Sequence, residues 1–185
     1  EKLNGFAEII KAAAIADASL FSFLEENSGD ALALQRTVLE KIVHDAVLVK
    51  TSIVERDELE SLERMKLNFG HTIGHALEAA TGYGHFLHGE AVAIGMMGVA
   101  HLSQRLGLVG KDIVERQRQL LQRFGLPLSA PGVNMELVLK AMELDKKTRE
   151  GAIHWVMLRD IGEVITLHRV PQTEVIAVLE ELLKS

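Results

Sequence analysis

The chain has 185 residues, 48% of them hydrophobic, a formal net charge of −6 and no cysteine. That apolar content suffices for one buried core. The lack of cysteine excludes disulfides and thiolate metal ligands, and an acidic balance without a Lys/Arg run argues against nucleic acid as a partner. The longest apolar run, Ala91 to Ala100, is about half of the roughly 20 residues a membrane-spanning helix needs. No membrane role is expected, and the composition fits a cytoplasmic setting. The chain opens at Glu1 without Met and enters an apolar helical pattern within a few residues, so it reads as a piece of a longer one.

The elements follow in chain order. Gly5 to about Glu26 is rich in Ala, Leu and Ile and predicts a helix, with Asn27-Ser28-Gly29-Asp30 as its stop and the next N-cap. Asp30 to about Glu55 carries Leu32, Leu34, Val38, Leu39, Ile42, Val43, Ala46 and Val47 at three- and four-residue spacing, a second amphipathic helix. Helices are also expected over Leu62–Ala80, His88–Leu106, Asp112–Phe124, Asn134–Leu144 and Glu174–Lys184. Only Ile153–Leu158 and Val164–Leu167 have β-branched character, and Arg159-Asp160-Ile161-Gly162 between them suggests a hairpin turn. The expectation is a mainly α, multi-helical single domain over residues 1–185 with a small β-hairpin.

Four of the eight histidines lie between His71 and His88. On a regular helix Arg64, Asn68, His71, His75 and Glu78 fall within an arc of about 80°, with Met65, Phe69, Ile73, Ala76, Leu77 and Ala80 on the other side. The ordinary reading of a polar stripe is a solvated face. Solvated faces are usually built of Lys and Glu, however, whereas this one has Asn and two His beside Gly70 and Gly74. Glycine costs about 1 kcal/mol relative to Ala inside a helix, so the pattern points to a packed or ligand-facing surface. His71-Thr-Ile-Gly-His75 is an H-x3-H pair that can reach one metal from adjacent turns. It is not the zinc-protease motif, because Thr72 replaces the general-base Glu. His85 and His88 follow a Thr-Gly-Tyr-Gly turn, and a site with one imidazole from the helix and one from this turn would want a carboxylate. Glu78, Glu90 and Glu8 are all candidates, and spacing does not choose among them.

Glu8 and Lys11 stand one turn apart within Ala and Ile. An i,i+3 ion pair is the ordinary reading; burial of both charges would demand further partners, a metal for Glu8 and an anion for Lys11. Lys50, Lys146 and Lys147, taken singly, read as surface lysines.

Taken together, Asn4-Gly5-Phe-Ala7-Glu8-Ile-Ile-Lys11, Leu67-Asn68-Phe69-Gly70-His71-Thr-Ile-Gly74-His75-Ala76-Leu-Glu78, Leu87-His88-Gly89-Glu90-Ala-Val-Ala-Ile-Gly95-Met96 and Asp145-Lys146-Lys147 resemble successive signature blocks of the 3-dehydroquinate synthase family, in the family's order. The similarity is to its helical C-terminal domain. The resemblance implies an enzyme of the shikimate pathway that converts 3-deoxy-D-arabino-heptulosonate 7-phosphate to 3-dehydroquinate with loss of phosphate. Catalytic NAD and a divalent metal, Zn2+ or another such as Co2+, serve oxidation at C5, β-elimination, re-reduction, ring opening and aldol closure. It implies Glu8, His71 and His88 as metal ligands, and takes His75 out of the metal shell to substrate phosphate and proton handling with Asn68. Lys11 and Lys50 would contact substrate near the metal, Arg64 the carboxylate, and Lys146 or Lys147 the phosphate; His85 has no role.

The N-terminal α/β half that would bind NAD has no counterpart here, and Gly82-Tyr83-Gly84 does not resemble a dinucleotide fingerprint. The isolated chain is therefore expected to be inactive, and a homodimer is implied for the full-length enzyme. Two alternatives remain at this stage: another sugar-phosphate cyclase or metal-dependent polyol dehydrogenase domain, and a non-catalytic helical assembly module.

Overall fold

The computed structural model describes residues 2–57, 63–148 and 153–184, with the side chains of 2, 3, 57 and 145–148 outside the description. In chain order the elements are α1 (Lys2–Ala16), α2 (Ala18–Leu32), α3 (Arg36–Asp57), a 3-10 helix (Glu63–Asn68), α4 (His71–Thr81), α5 (His88–Arg105), α6 (Lys111–Arg123), α7 (Met135–Thr148), strands β1 (Trp155–Asp160) and β2 (Glu163–Leu167), and α8 (Gln172–Leu183). The mainly α expectation with one hairpin holds.

The apolar run Ala91–Ala100 becomes the axis of the fold. A helix that is hydrophobic all round has no face to give to water, and α5 is buried at Gly89, from Ala91 to Ala100, and at Leu102 and Ser103. Around it pack α1, α4, α6, α8 and β1, with α3 behind α1 and α7 behind α4. Among the described residues, no helix is long and apolar enough to cross a membrane. The two strands pair antiparallel, Trp155 with Leu167 and Leu158 with Val164. Ser103 joins this hairpin to α5: its Oγ donates to Val99 O at 2.8 Å and accepts from Leu158 N at 3.0 Å.

Three sequence expectations are corrected. The first helix is two, because Asp17 caps a new one, its Oδ1 accepting from Leu20 N at 2.9 Å. The expected stop at Asn27 is only a kink: Asn27 Nδ2 donates to Phe23 O at 2.9 Å, its backbone leaves helical geometry at φ −115°, and α2 continues to Leu32. The next helix then starts at Arg36, not Asp30, after Leu34 takes φ 58°.

The third correction bears on the histidine stripe. The helix expected over Leu62–Ala80, whose first residue lies outside the described ones, is a 3-10 turn and then α4, separated by Gly70 at φ 77°. Arg64 and Asn68 therefore do not share a helix with His71, and a common helical arc is not what brings them together.

What Gly70 permits is close approach of two backbones. A Cβ on it would lie 2.9 Å from Met96 N, and one on Gly74 would lie 3.0 Å from Ala91 O. A Cβ on Gly95 would overlap the Gly70 carbonyl oxygen. The atoms in the way are backbone and have no rotamer by which to yield, so Gly95→Ala is expected to cost at least about 3 kcal/mol, the upper end of overpacking effects. Urea unfolding of the variant against the parent measures it.

Candidate metal centre and anion pocket

Three helices meet where the close approach puts them. Glu8 and Lys11 face inward from α1, His71 opens α4 and His88 opens α5. One donor atom from each of Glu8, His71 and His88 lies within 4.8 Å of the others.

Lys11 is 5% exposed, and its Nζ is 2.9 Å from each Glu8 oxygen. Burial works to raise the Glu8 carboxyl, but the Lys11 ammonium, aided by His71 and His88, outweighs it and holds the group below its ordinary value. Burial lowers the Lys11 pKa, Glu8 opposes that, and nearby Lys50 adds to the lowering. The carboxylate is thus kept ionised.

His71 is pushed down to about 4, first by burial and then by the charge of Lys11. It is neutral near pH 7, the state a metal ligand needs. Its Nδ1 lies 3.1 Å from Phe69 O; since a carbonyl only accepts, Nδ1 carries the proton and Nε2 the lone pair. The rings of His71 and His88 are 5.4 Å apart, those of His71 and His75 5.1 Å, and those of His75 and His88 5.9 Å.

The two imidazoles of H-x3-H fall in different groups. His75 belongs with Glu78 and His88, a second set with donor atoms within 4.8 Å of one another. Of the three carboxylates that spacing left open, Glu90 is taken up as a helix cap, accepting from Leu87 N at 2.9 Å. His85 is exposed, stacked edge-on against Phe86 with ring centroids 4.7 Å apart, and joins neither set.

Beside the first set opens a pocket of about 650 Å³ lined by Glu8, Lys11, Lys50, Arg64, Asn68 and His71, with Val43 and Val47 of α3 as an apolar wall. Among its described lining residues three are cations and one is a carboxylate, inside a chain of net charge −6. His75 instead lines a second hollow of about 490 Å³ with Glu78, Tyr83 and Leu144. The side chains of Lys146 and Lys147 lie outside the described residues.

The donor set suits a divalent metal. Zinc is held by imidazole nitrogens and carboxylate oxygens, the donor types that Glu8, His71 and His88 bring within 4.8 Å of one another.

A family model described as 3-dehydroquinate synthase C-terminal matches residues 5–148. The chain belongs to that family. It is 44% identical over 97% of its length to a 3-dehydroquinate synthase of Caldanaerobacter subterraneus subsp. tengcongensis, covering 50% of that protein. It is 41% identical over 98% of its length to one of Acidithiobacillus ferrooxidans, again covering 50%. The chain thus spans about half the length of these relatives. Among solved structures, 2-epi-5-epi-valiolone synthase from Streptomyces hygroscopicus subsp. jinggangensis, with NAD+ and Zn2+ bound, superposes with a TM-score of 0.88 at 29% identity, over 98% of this chain and 51% of that one. A 2-deoxy-scyllo-inosose synthase shares the fold at a TM-score of 0.76 and 23% identity, over 98% of this chain and 52% of that one.

Sequence reasoning missed the pair that ties the site together. Asn4 Oδ1 accepts from Gly89 N at 2.8 Å, fastening the helix of Glu8 to the helix of His88, and a Cβ on Gly89 would lie 2.5 Å from Asn4 Cα. The only signals were an Asn-Gly step at the chain start and a glycine after His88. Asn4→Ala is expected to lower stability by about 1 kcal/mol, the net worth of one hydrogen bond, and to weaken divalent-metal uptake; thermal melts and metal titrations of the variant measure the two effects.

Proposed function

We propose that this chain is the metal- and substrate-binding half of a 3-dehydroquinate synthase, a phosphate-eliminating carbon–oxygen lyase of the shikimate pathway. The observation that carries the reading is the convergence of Glu8, His71 and His88 beside a pocket rich in cations. Residues 1–185 form one helical domain in this proposal, and NAD is held mainly by an N-terminal α/β half of the full-length enzyme, a homodimer of the cytoplasm.

Glu8, His71 and His88 hold the metal, Zn2+ or another divalent ion such as Co2+. When bound, such an ion supplies Lewis acidity to a substrate hydroxyl. The remaining roles belong to side chains. Arg64 presents a planar guanidinium to the substrate carboxylate. Lys11 and Lys50 bind and orient the substrate beside the metal ligands, Lys11 being fixed by its ion pair with Glu8. Asn68 hydrogen-bonds the substrate, and His75 holds or accepts a proton near the phosphate, with Lys146 and Lys147 as further phosphate contacts. Elimination and aldol steps are facile once a ketone stands at C5, so the protein contributes chiefly orientation and electrostatic preorganisation.

The similarity to 2-epi-5-epi-valiolone synthase supports a second reading, a related sugar-phosphate cyclase with the same metal ligands. The relatives above 40% identity favour the first. Product analysis separates them: the full-length enzyme, given 3-deoxy-D-arabino-heptulosonate 7-phosphate, is expected to yield 3-dehydroquinate and phosphate, and a different cyclitol substrate would overturn the assignment.

Elemental analysis of the purified chain is expected to find a divalent metal that Glu8→Ala and His71→Ala remove. Metal retained by both variants would refute the ligand set, and a parent chain that takes up no metal would favour a purely structural module. The chain alone is expected to release no phosphate from the substrate; normal turnover in a sensitive phosphate assay would show that the missing half is dispensable.

A further inference from the structure

Glu78 has no part in the function proposed above, yet it is the polar neighbour of a ligand. Its Oε1 lies 3.2 Å from His88 Nδ1, and its side chain is 13% exposed. A carboxylate accepts but does not donate, so the proton between them sits on Nδ1 and the lone pair on Nε2. His88 itself is 45% exposed on the first turn of α5, and Glu78 is the carboxylate in contact with its ring nitrogen. His71 reaches the same tautomer by a different partner, the Phe69 carbonyl.

We propose that Glu78 is a positioning residue for the metal centre: by accepting the Nδ1 proton of His88 it fixes the tautomer and ring orientation that present Nε2 toward Glu8 and His71. The inference rests on the ligand set proposed above. Outer carboxylates of this kind orient a metal-bound imidazole and raise its basicity, and their loss typically costs about 10–100-fold in metal affinity. Glu90, the other carboxylate near His88 in sequence, is engaged by the Leu87 amide. The competing use of Glu78 is as a direct ligand in the set His75, Glu78 and His88, and the test separates the two.

Zn2+ affinity of the full chain is measured by competition with a chromophoric chelator, and the His88 tautomer of the metal-free chain is read from long-range 1H–15N NMR spectra, which also report folding. Glu78→Ala is expected to weaken Zn2+ about 10–100-fold and to release His88 from the Nδ1–H tautomer. Glu78→Gln, whose amide oxygen still accepts from Nδ1–H, is expected to weaken it less, and His75→Ala to leave it unchanged. Parent-like affinity in Glu78→Ala, or a His88 tautomer indifferent to the carboxylate, overturns the proposal. If Glu8→Ala and His71→Ala lose the ion while Glu78→Ala keeps it, the positioning role fails and the ligand set stands. If Glu8→Ala and His71→Ala keep it while His75→Ala and Glu78→Ala lose it, the ion sits on the second set and the ligand reading itself fails.

Discussion

The backbone contact between α4 and α5 is the constraint on which the rest depends. Helices normally pack 8–10 Å apart because side chains stand between them. Here Gly70, Gly74 and Gly95 remove those side chains where the two helices cross. The first residues of both helices, His71 and His88, are thereby drawn into ring contact. Since α5 is also the axis of the core, the imidazole it carries is attached to the most deeply buried element of the molecule, and that of α4 to its nearest neighbour.

Electrostatics at the site run against the character of the chain. An acidic protein has gathered Lys11, Lys50 and Arg64 around one pocket, with Glu8 the sole carboxylate among the described lining residues. A partly buried ion pair such as Lys11–Glu8, with the Lys11 side chain 6% and the Glu8 side chain 41% exposed, is poor evidence for stability, since desolvation of the ammonium offsets much of the attraction. Its effect is local. It keeps Glu8 ionised against burial, and the Lys11 charge adds to the larger effect of burial in lowering His71. One ammonium thereby contributes to two protonation states, both in the direction that metal ligation requires.

Much of this was legible in the sequence, for reasons that differ by residue. The signals for α6 and for the β-branched hairpin are local, and they translated directly into elements. The breaks at Asp17 and Gly70 were missed because a cap residue inside an Ala-rich run and a left-handed glycine look, to a helical period, like ordinary helix positions. The stripe from Arg64 to Glu78 was right only in part: the pocket collects Arg64 and Asn68 from a 3-10 turn and His71 from a new helix, while His75 and Glu78 line a second hollow. That Glu8 comes within reach of His71 and His88 lay beyond spacing, because contacts between α1 and α5 join residues about eighty positions apart. The same distance hides the Asn4–Gly89 bond.

One buried hydroxyl has a role in the topology that its size conceals. Strand β1 is buried from Trp155 to Leu158 without alternation, so it lacks the in-and-out pattern that ordinarily tells a strand which residue belongs where. A slip of the ribbon along α5 would exchange one apolar residue for another. Ser103 breaks that degeneracy, because its hydroxyl donates to Val99 O on the helix and accepts from one strand amide, that of Leu158. It acts as a register mark, written in the helix and read by the sheet.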